Sequence, residues 1–166
     1  MFLKFAVRDL ILLGLCVLMW QINMSAFASG NAFIAIVCGA LTVVITVLTS
    51  YEGHEWGHLG GAIATGAVVH APRQLIHQFL FHFDGKQNSR QQFVGMSIGG
   101  LTASVAVLIL LLQILPLSTW SAKIALGIII FGIIVTFLRE VPEAWRVHRG
   151  TITPQGPVYE PFAASK

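Results

Sequence analysis

Hydrophobic positions fall into four long runs, and the polar positions gather between them. The runs are Leu10 to Ala28, Ala32 to about Tyr51, Phe93 to Leu115, and Ala122 to Leu138. None shows the strict alternation of a half-buried strand or the one-sided stripe of a surface helix. A run that is apolar on every face, about 20 residues long at ~1.5 Å per residue, matches the thickness of a bilayer core. The pattern therefore predicts an all-α, polytopic membrane protein with four transmembrane helices. The second helix is expected to continue past Tyr51. The fourth run is short, but Trp120 and Arg139 flank it as interface anchors. Lys4 and Arg8 before the first run, with Ala26-Phe27-Ala28 after it, also have the layout of a signal peptide. We read that run as a retained helix.

Composition supports this picture. The 166 residues are 55% hydrophobic and 10% charged, with a mean hydropathy of +0.78. Water-soluble domains carry about 25% charged residues, and a chain this short has too little interior to hide the rest. The net charge of +3 is modest, and the basic residues are not gathered into a nucleic-acid patch. They sit instead at the edges of the runs. Lys4 and Arg8 precede the first, Arg73, Lys86 and Arg90 lie between the second and third, and Arg139, Arg146, Arg149 and Lys166 follow the fourth. The other two connections carry Lys123 alone. The positive-inside rule then places both termini and the central loop in the cytoplasm, in a membrane of bacterial inner-membrane type. Cys16 and Cys38 lie inside apolar runs and read as small hydrophobes. Residues 1–149 form one helical membrane domain, and residues 150–166, with Pro154, Pro157 and Pro161, an irregular cytoplasmic tail.

The central segment carries His70, His77, His82 and Asp84 among Leu75, Ile76, Phe79, Leu80, Phe81 and Phe83. Its composition predicts an interfacial or re-entrant segment between helices 2 and 3, and one of its histidines is a candidate to complete a metal site. In the third run Gly95, Gly99 and Ala103 recur every four residues, a stripe that lets another helix approach closely.

The chemistry concentrates at the end of the second run, in His54-Glu55-Trp56-Gly57-His58. Residues four apart share a helix face, so His54 and His58 can hold one metal ion, with Glu55 beside them to take a proton from water. A catalytic zinc needs three protein ligands and an open position, and this motif supplies two. Gly57, Gly60 and Gly61 around it would allow close packing or a break in the helix.

These residues resemble the site-2 protease family, the intramembrane zinc metallopeptidases. The family's H-E-x-G-H is His54 to His58 here, and the Asn88 to Ser104 stretch is similar to its entry into the next core helix. The resemblance covers about residues 50 to 112. It implies one zinc per chain held by His54 and His58, Glu55 as general base, and cleavage of membrane-embedded peptides. The family's third ligand is an Asp of a later Asp-Gly motif, but no Asp follows Asp84 here. Gly100 stands where the family has Pro, and Ser104 or a neighbour where it has Asn. Glu140 and Glu143, at the end of the fourth run, are the candidates for the third ligand. Two other readings stay open. One is a non-catalytic accessory subunit descended from such a protease, docked on partner subunits. The other is a di-iron membrane oxygenase built on His54/His58, His77/His82 and His148.

Overall fold

The computed structural model describes residues 2–77 and 79–154. It contains four helices: α1 (Leu3–Ala28), α2 (Ala32–Ala64), α3 (Arg90–Ile114) and α4 (Trp120–His148). Each is long and apolar enough to cross a membrane, and their outward faces are clothed in exposed leucine, isoleucine, valine and phenylalanine. In water such a surface would be costly, whereas in lipid it is solvated. The chain is an integral membrane protein.

Local chemistry sets the ends of the helices. Gly30 turns the chain with φ +72°, and Asn31 then caps α2 by accepting the Ile34 amide at 3.1 Å. Ser89 and Gln92 form a reciprocal capping box at the start of α3, and Thr119 caps α4 through the Ala122 amide. Helix α2 has 33 residues, roughly 50 Å at the usual rise, so it runs well beyond Tyr51. It continues unbroken through Gly57, Gly60 and Gly61. Helix α4 likewise continues past Leu138 and through Pro142 to His148.

The α2–α3 pair is the centre of the fold, and glycine makes it so. A Cβ on Gly57 would strike Ala103 Cβ, one on Gly61 the Gly95 carbonyl, and one on Gly99 the Gly57 carbonyl. The two backbones therefore touch along a seam that side chains would prise apart. The expected small-residue stripe of α3 is one half of this seam.

Buried polar contacts join the remaining helices. Trp20 Nε1 donates to Thr46 Oγ1 at 3.0 Å, linking α1 to α2, and Asn23 Nδ2 donates to Ser121 Oγ at 2.9 Å, linking α1 to α4. At the opposite end, where α1 begins and α4 ends, Arg8 bonds Asp9 at 2.6 Å and Glu52 at 2.7 Å, and Trp56 Nε1 donates to Asp9 at 2.8 Å.

Between α2 and α3 the chain forms a short antiparallel pair, Val69–His70 with His82–Phe83. Lys4 donates to the carbonyls of Pro72 and Arg73, and Arg8 to that of Leu75. Leu80, Phe81 and Phe83 are buried in a cluster with Phe5, Leu59 and Phe93. The segment between α2 and α3, expected to be interfacial or re-entrant, forms a strap tied to α1 by polar contacts and wedged between helices by apolar ones. The Lys86 amide, with Gln87, holds the exposed Asp84 carboxyl below its ordinary range and closes the turn into α3. The irregular tail is described only as far as residue 154, and Pro157 and Pro161 lie outside the described residues.

Candidate metal centre

His54 and His58 project from one face of α2 toward α3. Each ring is fixed by its Nδ1. That of His58 lies 3.0 Å from the Met96 carbonyl oxygen, and that of His54 lies 3.1 Å from the Gly100 carbonyl and 2.8 Å from Ser104 Oγ. A carbonyl oxygen only accepts, so each Nδ1 donates to α3 and each ring turns its Nε2 the other way. Gly100 makes room for this arrangement, since a Cβ there would collide with the His58 ring.

The two Nε2 atoms are 3.0 Å apart. Glu140 of α4 brings Oε1 to 3.2 Å from His54 Nε2 and 3.3 Å from His58 Nε2. Two imidazole nitrogens and a carboxylate oxygen therefore converge, and three such acceptors repel unless a proton or a metal ion lies among them. Ligand atoms at ~2.1 Å around a tetrahedral zinc stand roughly 3.4 Å apart, close to the spacing here. The second carboxylate oxygen of Glu140 is buried with no hydrogen-bond partner among the described residues. An orphaned oxygen beside two oriented histidines suits a metal ligand better than a structural hydrogen bond. His54, His58 and Glu140 are the one group of this kind among the described residues.

The other expected residues fall elsewhere. Glu143 lines the same cavity but stands outside the trio. His77 Nδ1 is engaged by the Phe79 backbone, His82 pairs across the hairpin with His70, and His148 stacks on Trp145. None joins His54 and His58. Glu55 is 4% exposed and lines the cavity, and its Oε2 accepts the Leu80 amide at 3.4 Å, so the strap touches the residue expected to act as base. Sequence reasoning missed this contact and the orienting role of the Met96 and Gly100 carbonyls. Backbone groups carry no residue-type signal, so nothing in the sequence marks them.

No known protein family, no characterised protein and no solved structure matches the chain.

Proposed function

We propose that the protein is an intramembrane zinc-dependent peptidase, with His54, His58 and Glu140 as ligands and Glu55 as general base. The observation that carries the reading is the convergence of two Nε2 atoms and one carboxylate oxygen within 3.0 to 3.3 Å, with both Nδ1 atoms tied back to α3. Two imidazoles and one carboxylate are a set that zinc uses with a fourth position left open. Zinc bound there would lower the pKa of a water and polarise the scissile carbonyl. The chain's residues do the rest. Glu55 takes the proton of the attacking water and delivers it to the leaving amine. The α2–α3 seam holds the histidine rings in place, and the strap shields Glu55 from bulk water. The resemblance in the His54–His58 segment supports a peptide substrate. The distribution of lysine and arginine supports a site that opens at the cytoplasmic face of a bacterial inner membrane, with both termini on that side.

Elemental analysis of the detergent-purified protein tests this. About one zinc per chain is expected, lost on replacing His54 and His58 together by Ala and retained in Glu55→Gln. Turnover of membrane peptides should fall by roughly 100-fold or more in that last variant. A wild-type protein without metal would instead leave a buried His–Glu ion pair in a non-catalytic accessory subunit.

A further inference from the structure

The strap passes over the candidate site on its way from α2 to α3. Its base is closed by short hydrogen bonds. The Asn88 side chain bonds both backbone groups of Val68, at 2.6 and 2.7 Å, beside the Val69–His70 and His82–Phe83 pair. Gln92 Nε2 adds a bond of 2.9 Å to the Gly66 carbonyl. Beyond this base the strap has two limbs. The outward limb reaches α1, where Lys4 and Arg8 hold the Pro72, Arg73 and Leu75 carbonyls at 2.8 to 3.0 Å. The return limb, Phe79–Phe81, comes back over α2. Leu75 and Ile76 of the outward limb are exposed, whereas Leu80 and Phe81 of the return limb are buried. Charge therefore holds one limb and apolar packing the other.

What the return limb covers is Glu55. The Leu80 amide donates to its Oε2, and the Tyr51 side chain bonds the same carboxylate. Phe79 and Phe81 line the cavity that holds His54, His58 and Glu140. With Glu55 at 4% exposure, water hardly reaches the group that has to take a proton from water. An amide N–H is a donor alone, so it occupies the carboxylate without serving the reaction. Its bond is also easily given up, since 3.4 Å lies beyond the usual reach of about 3.2 Å. The two cations differ in what else they hold. Arg8 also pairs with Asp9 and Glu52, whereas the polar contacts of Lys4 go to the strap.

We propose that the Phe79–Phe81 limb is an autoinhibitory plug over Glu55, latched shut from α1 by Lys4 and Arg8. While it is latched, the base is sealed from water. When the limb lifts, pivoting on the base that Asn88 and Gln92 hold, Glu55 is freed to accept a proton. This rests on the peptidase reading above, which makes Glu55 the base. A strap that merely positioned Glu55 would have the opposite sign, because loosening it would slow the reaction.

The test uses the zinc-loaded, full-length protein in detergent and compares wild type with the double variant Lys4→Gln/Arg8→Gln. A water-soluble carbodiimide with glycinamide converts accessible carboxyls to amides, and mass spectrometry follows Glu55 against the exposed Glu143. Unlatching should speed labelling of Glu55 by about tenfold, the size expected for lost bonds from charged donors, and leave Glu143 unchanged. Cleavage of a lysine-flanked polyleucine transmembrane peptide should rise by a similar factor. Lys86→Gln is the control, since it removes a positive charge from the strap while keeping the backbone amide that Lys86 gives to Asp84. Should the double variant not fold, Lys4→Gln alone should show a smaller gain, because Arg8 still holds Leu75. Unchanged labelling of Glu55, or the same gain in Lys86→Gln, overturns the latch. Faster labelling with slower cleavage overturns autoinhibition and makes the strap a positioning element, while the peptidase reading stands. No cleavage by either protein, whatever the labelling, rejects the peptidase reading and autoinhibition with it.

Discussion

His58 is held from α3 by the Met96 carbonyl at Nδ1, while its Nε2 faces Glu140. His54 has the same arrangement with one addition, the Ser104 hydroxyl. Partners of this kind fix ring orientation and tautomer, and removing one costs metal affinity by about 10–100-fold. Ser104→Ala should fall at the lower end of that range, because the Gly100 carbonyl remains. Competition with a zinc chelator measures it, and an unchanged zinc affinity would show that Ser104 merely fills space. Glu140→Gln should strip most of the zinc, while Glu143→Gln should leave the content at the wild-type level. The His54/His58 pair was legible in the sequence because four-residue spacing on a helix fixes which side chains meet. The choice between Glu140 and Glu143 was not. They are three residues apart on one helix, and only the rotation of α4 against α2 decides which one reaches the histidines.

Among the elements, α2 and α3 hold the site between them through glycine. Gly99→Leu would drive a side chain into the Gly57 carbonyl and the Gly61 backbone. Overpacking of this kind costs about 1–3 kcal/mol, and a backbone neighbour cannot swing aside, so the upper end is expected. Thermal unfolding in detergent should show the loss, together with loss of zinc as the histidine rings part from α3. Gly60→Ala should be neutral or stabilising, since Gly60 faces open space in mid-helix and Ala is the better helix former by about 1 kcal/mol. A destabilised Gly60→Ala would mean that α2 packs differently. The four helices could be read from their apolar runs, and α2 runs past Tyr51 as expected, but the end of α4 ran past its reading. Hydropathy marks where lipid begins and ends, whereas these helices continue because protein packs against them. Glu52, Glu55 and Trp56 look like the edge of a span by composition, yet each has its partner in the fold.

For the molecule as a whole, α1 and the strap act together. Lys4 and Arg8 hold three strap carbonyls, and the strap in turn places the Leu80 amide on Glu55. Arg8→Gln should release the segment around Leu75 and raise amide hydrogen exchange there and at Leu80, with little change in α3. Unchanged exchange would mean that the buried Leu80 and Phe83 hold the strap unaided. The sequence showed the aromatic residues of the strap but not their place, because what buries them lies on α1, α2, α3 and α4, far away along the chain.

The Asn23–Ser121 bond closes a loop of 98 residues. During synthesis Asn23 enters the membrane long before its partner exists, and an unmatched amide in hydrocarbon is uncomfortable by about 0.6–2 kcal/mol. Until α4 arrives, the nascent protein carries a polar flag in the bilayer. Chains that stop short of the fourth helix never lower it, and membrane quality control has a chemical means of telling the unfinished protein from the finished one.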